Sequence, residues 1–133
     1  MAVADLATDD LWGDLVVSIL SVNRYSLERT YGSFERLREQ GLVDPTQLVC
    51  LGPGEIVARL KSAGYDRGPF MTNLFALRLC NLGMLIELRG VEACTKILSS
   101  ADKTAIKELL LPVNGIGPKV IENFVFLRNI GKR

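Results

Sequence analysis

The stretch Leu109-Leu-Leu-Pro-Val-Asn-Gly-Ile-Gly-Pro-Lys-Val-Ile-Glu-Asn-Phe-Val125 decides how this chain is read. An apolar helix end runs into a glycine-flanked turn. Pro118 then opens a second helix, because proline has no N–H to lose at a first helical position. Gly115 and Gly117 permit positive φ and let another molecule approach the backbone, while Ile116 between them is suited to point inward as an anchor. The free N–H groups of the turn and of the second helix's first turn then make an anion site of phosphate size.

The Gly-Pro pair also occurs at Gly52-Pro53 and Gly68-Pro69, again before apolar residues at helical spacing. From Pro53, Ile56, Val57 and Leu60 run to a stop at Gly64; from Pro69, Phe70, Leu74, Leu77, Leu79 and Leu82 continue past Arg78 into a segment, 83 to 90, that divides in no clear way. Nearer the start, Leu11, Trp12, Leu15, Val16, Ile19 and Leu20 form one helical stripe, and Thr8, Asp9 and Asp10 supply an acidic, capped beginning, so a helix is predicted over 9 to 23. Ser26 caps a second helix that closes at Gly41, with Gly32 as an interruption. Short helices over 91 to 98, 101 to 111 and 118 to 128 complete the pattern. No alternating run competes as a strand, so the expectation is an all-α chain: a compact orthogonal bundle of six to eight short helices in one domain, 1 to 133.

Composition removes whole classes of chemistry. The 133 residues hold 16 Lys+Arg against 15 Asp+Glu, a formal charge of +1, so no bulk charge announces a partner. Histidine is absent, which excludes Ser-His-Asp and Cys-His nucleophile systems and a histidine general base. The three cysteines, Cys50, Cys80 and Cys94, are widely spaced and odd in number; they predict reduced, mostly buried thiols in a cytosolic protein, and no zinc or iron-sulfur centre of the usual kind. No metal or other cofactor is expected. The longest stretch without a charged side chain is ten residues, too short to cross a bilayer as a helix, and Asp5, Asp9 and Asp10 precede any apolar run, unlike a signal peptide.

The helix, glycine turn and helix of 101 to 129 resemble the helix-hairpin-helix motif, and the wider chain, from about residue 11 to residue 128, resembles the HhH-GPD superfamily of base-excision DNA glycosylases, endonuclease III among them. Three further features fall in the family's order. Ser21-Val22-Asn23 follows the first apolar helix, where the family has a polar residue that enters the gap left by an extruded base. Ala63-Gly64-Tyr65 stands where the family has a glycine and a wedge that presses on the estranged base. Lys119 stands where bifunctional members carry the lysine that becomes a Schiff base. The resemblance therefore implies DNA contacts at Asn23, Tyr65, Arg67, Asn114, Gly115, Ile116, Gly117, Pro118 and Val120.

Each of these residues also has a plainer reading. Asn23 suits a helix terminus, Tyr65 a core anchor with a satisfied hydroxyl, and Arg67 an ordinary solvated loop. Lys119, at the second position of a helix, faces the positive end of the macrodipole, which disfavours the ammonium form and favours the free amine of a nucleophile; its alternative is an exposed lysine or one that touches phosphate. Glu122, one turn on, is either the base that takes the sugar's C2′ proton or an (i, i+3) partner of the lysine. Lys103, Lys107, Lys119, Arg128, Lys132 and Arg133 outnumber Asp102, Glu108 and Glu122, so basic character gathers at the hairpin.

The sequence departs from the family in two places. The family's catalytic aspartate lies in a turn well beyond the second hairpin helix, which these residues do not reach, and the family's second domain is likewise not represented. Asn114 stands where the family commonly has proline, with Pro112 displaced upstream. Three readings follow: a repair protein that binds damaged or abasic double-stranded DNA and uses Lys119 as an abasic-site lyase; a binding module, or half an enzyme completed by a partner; or a helical protein-interaction domain on the same scaffold. A cytoplasmic, nucleoid-associated protein is expected, with no membrane partner. A homodimer or a partner chain would cover the face left by the second domain.

Overall fold

In a computed structural model, which describes residues 10–22 and 25–128, the chain folds as nine helices with no strand among the described residues. They are α1 (Leu11–Leu20), α2 (Leu27–Tyr31), α3 (Phe34–Glu39), α4 (Pro45–Leu48), α5 (Pro53–Ser62), α6 (Gly68–Arg89), α7 (Val91–Leu98), α8 (Lys103–Leu110) and α9 (Pro118–Leu127). The fold is an all-α helical bundle. Asp10 caps α1 through Gly13 N–H at 2.8 Å, Ser26 caps α2 through Arg29 N–H at 3.1 Å, and prolines open α4, α5, α6 and α9 near their first positions. Thr8 and Asp9, the other residues of the expected acidic start, lie outside the described residues.

Two expectations of size are corrected. The helix expected over 9 to 23 is shorter among the described residues, Leu11–Leu20, and the segment from 69 onward that resisted division is a single helix of 22 residues. Its continuity through Gly83 has a packing cause: a Cβ there would sit 2.9 Å from the Leu48 carbonyl oxygen, so glycine lets α4 lie directly on α6. By length and composition α6 is apolar enough to cross a membrane. Charge-free runs in the sequence do not show this, because Arg78 breaks the run inside α6. Its inner residues, among them Thr72, Phe75, Leu79, Leu82 and Ile86, are buried against α1, α4, α5 and α7, while Phe70, Leu77, Met84 and Leu88 are exposed along the outer side.

Helix α1 is almost wholly buried and organises the other end of the core. It packs on α9, α2, α6 and α3, and Trp12 Nε1 donates to Thr95 Oγ1 of α7 at 3.1 Å. Gly13 admits the ring of Phe34, which a Cβ would meet at 2.7 Å. Of the cysteines only Cys94 is buried; Cys80 is half-buried and Cys50 exposed, because Cys50 follows the short α4 on the outer surface rather than lying on an inward helix face.

Candidate functional site

Helices α8 and α9 are joined by residues 111–117, a turn closed by Val113 N–H to Leu110 O at 2.9 Å and Ile116 N–H to Val113 O at 3.1 Å. Gly115 takes φ 99°, so its glycine is required by conformation. Gly117 differs from expectation: its φ of −113° and ψ of −173° are extended, open to any residue, and a side chain there would meet nothing within 4 Å. The fold therefore leaves the Gly117 surface clear, as close approach by another molecule would require. The N–H groups of Gly115, Gly117 and Lys119 donate to no acceptor among the described residues, so three donors are available at the turn and the start of α9.

Ile116 and Val120 are buried and hold the turn onto the core, so their side chains do not face a ligand. Pro118 and Asn114 are exposed; the Asn114 carbonyl accepts from Asn81 Nδ2 at 3.0 Å, which ties the turn to α6. A wide, mostly apolar recess of about 600 Å³ opens beside that tie, walled by Met84, Leu85 and Leu88 of α6 and by Pro112 and Val113.

Lys119 does not line that recess. It is exposed and lines a cleft of about 430 Å³ together with Ser21, Val22, Tyr25, Ser26, Leu27 and Asn123. The cleft thus joins the first turn of α9 to the segment after α1, two regions about a hundred residues apart in sequence. Asn123 fixes the joint: its Nδ2 donates to Ser18 O at 3.3 Å and Ser21 O at 3.1 Å, satisfying carbonyls at the C-terminal end of α1. Ser21 and Thr30 share a hydroxyl hydrogen bond at 2.7 Å, which holds α2 against the same end.

Sequence reasoning passed over Asn123 and Tyr25. The signal for Asn123 was present, as a polar side chain between Ile121 and Phe124 on the inward face of α9, where a buried amide implies partners.

Other expected site residues take different places. Asn23 lies outside the described residues. Tyr65 is fully buried, its hydroxyl donating to Leu20 O at 2.7 Å, and burial pushes its phenol up to about 12, so the ring is a core anchor and is not available as a wedge. Arg67 is half-buried, with Nη1 donating to Val22 O at 3.0 Å and lying 3.3 Å from the Tyr65 hydroxyl; it is bound into the fold and is not a loosely solvated loop side chain. Glu122 is exposed, does not line the cleft and forms no ion pair with Lys119. Among the described residues no Asp or Glu lines the cleft, and no three His, Cys, Asp or Glu side chains gather as a metal site.

No family model matches the chain, and neither does any curated protein or solved structure. The likeness to the glycosylase superfamily stands on the motif residues alone.

Proposed function

We propose that the chain binds damaged or abasic double-stranded DNA at the α8–α9 turn and acts on abasic sites through Lys119. The observation that carries this reading is the position of Lys119: it lines a cleft and stands in the first turn of the helix that follows the turn, where its own N–H and those of Gly115 and Gly117 are unbonded, so the lysine and the donors for a phosphate lie within five residues of one another. In the proposed reaction the Lys119 amine adds to C1′ of the ring-opened sugar, and water leaves to give an imine. Loss of the C2′ proton to water then expels the 3′ phosphate by β-elimination, and hydrolysis of the imine returns the free lysine. This chemistry needs an amine and no base-expelling carboxylate, which accords with a cleft that no Asp or Glu lines among the described residues.

That same observation favours a second reading, a DNA-binding module without chemistry, or one half of an enzyme whose carboxylate comes from a partner. Borohydride reduction separates the two. Incubated with abasic-site duplex and borohydride, the wild-type chain is expected to form a covalent adduct that Lys119→Ala abolishes. Salt-sensitive binding without an adduct leaves the binding module; absence of both overturns the DNA reading.

A further inference from the structure

Arginine side chains and aromatic rings from four separate segments alternate in one column. The guanidinium of Arg29, on α2, lies 4.6 Å from the centre of the Tyr25 ring. Arg67, in the loop before α6, lies 4.6 Å from that ring's centre and 4.9 Å from the centre of Phe75. Arg78, one turn further along α6, lies 4.8 Å from Phe75. Its stem then runs against the turn, where a Cβ on Gly115 would come within 2.4 Å of Arg78 Cγ. The column therefore begins beside the cleft, whose wall includes Tyr25, and ends under the turn whose N–H groups are unbonded.

Arg67 is the fixed middle, held by Val22 O and the Tyr65 hydroxyl. Arg29 and Arg78 differ from it: neither side chain forms a hydrogen bond or an ion pair with the described residues, and Arg78 Nε is the one buried side-chain polar atom among them with no partner. A ring face orients a guanidinium without consuming its N–H donors. Three like charges sharing two rings also repel one another, a cost that hydrophobic side chains of similar size would avoid and that a row of anions would remove. Guanidinium groups with unused donors suit the phosphates of a sugar-phosphate backbone, to which the planar group can give bidentate hydrogen bonds.

We propose that Arg29 and Arg78, set at the two ends of the column by the rings of Tyr25 and Phe75 with Arg67 fixed between them, make two separate phosphate contacts with the DNA strand that enters the Lys119 cleft. The inference rests on the reading of that cleft as a DNA site and adds two points at which the strand is held.

The test is equilibrium binding of the full chain to a labelled abasic-site duplex, followed by fluorescence anisotropy between about 50 and 200 mM salt. Arg29→Gln and Arg78→Gln are each expected to weaken binding roughly tenfold at the low-salt end and to make the plot of log affinity against log salt shallower by about 0.9, with the double variant losing about twice that slope. Arg78→Lys keeps the charge and loses the planar fork, so it should retain the slope and lose a smaller part of the affinity. Lys96→Gln, on α7, serves as the comparison for loss of one positive charge elsewhere. Thermal midpoints report folding; should Arg78→Gln fail to fold, Arg29→Gln and Arg78→Lys decide the matter. If the wild type binds and both glutamine variants behave as Lys96→Gln does, the two contacts are overturned while the DNA reading stands. If the wild type binds no DNA, the reading falls and the two contacts with it.

Discussion

Arg128 Nη1, just after α9, stands 2.9 Å from Oδ2 of the fully buried Asp14 on α1, and the Tyr31 hydroxyl donates to the other carboxylate oxygen. The arrangement locks the far end of the Lys119 helix to the core helix. Arg128→Met removes this cation from the buried carboxylate. Because the arginine side chain is a quarter exposed, the loss is expected at about 2 to 4 kcal/mol, slightly below that of a fully enclosed pair. Urea unfolding of Arg128→Met and of Asp14→Asn, with the double variant closing the cycle, measures it; additive losses would show that the pair is not coupled.

The middle of the same helix is held by Asn123. Asn123→Leu keeps the volume and removes the donor shared by the Ser18 and Ser21 carbonyls, so it should cost about 1 to 3 kcal/mol, in chemical denaturation, by leaving acceptors unmet at the end of α1. Since Ser21, Asn123 and Lys119 line one cleft, borohydride trapping by this variant is also expected to fall at temperatures where it remains folded. Trapping equal to wild type would separate the α1–α9 joint from the reactive amine.

The two glycines of the turn separate fold from function. Gly115→Ala forces an L side chain into φ 99° and against Arg78 Cγ, and is expected to lose about 1 to 3 kcal/mol of stability. Gly117→Ala enters open space in an extended conformation and should stay within about 1 kcal/mol of wild type. Under the DNA reading Gly117→Ala nonetheless weakens duplex binding severalfold, because its methyl group occupies the surface a phosphate would approach. Thermal unfolding beside anisotropy on the same samples checks both; unchanged binding by Gly117→Ala removes the turn as a contact.

Much of this fold was legible because its signals are local. Gly-Pro pairs, the Ser26 cap and the apolar stripe of α1 act within a few residues, and helices formed at each. The length of α6 was not legible, since its glycine at 83 serves a distant neighbour, Leu48, and reads locally as a break. The site divides the same way. Lys119 and the turn could be picked out from spacing, whereas Tyr25, Asn123 and the arginine column depend on loops that meet only in three dimensions. Tyr65 shows the converse: Gly64-Tyr65 has the right order for a wedge, but the ring points into the core, 5.0 Å from Tyr25 and 6.1 Å from Phe75 between ring centres.

Tyr65 also sets an alkaline limit on stability. Burial raises the folded-state phenol from 10.0 to about 12, opposed in part by Arg67, so the fold favours the protonated form. The unfolded chain gives up this proton first as pH rises. Stability linked to Tyr65 is therefore complete below about pH 10 and is lost between there and about pH 12, at up to about 1.4 kcal/mol per pH unit and of the order of 2 kcal/mol in all. Tyr65→Phe removes this dependence together with the hydrogen bond to Leu20 O, so it should be less stable than wild type at pH 7 by about 1 kcal/mol. The other titratable groups are common to both proteins, so the difference between the two urea curves isolates the phenol. The gap is expected to close and then reverse as pH rises from 10 to 12. A gap that stays constant across that range would mean that the phenol ionises as readily in the folded state as in the unfolded chain.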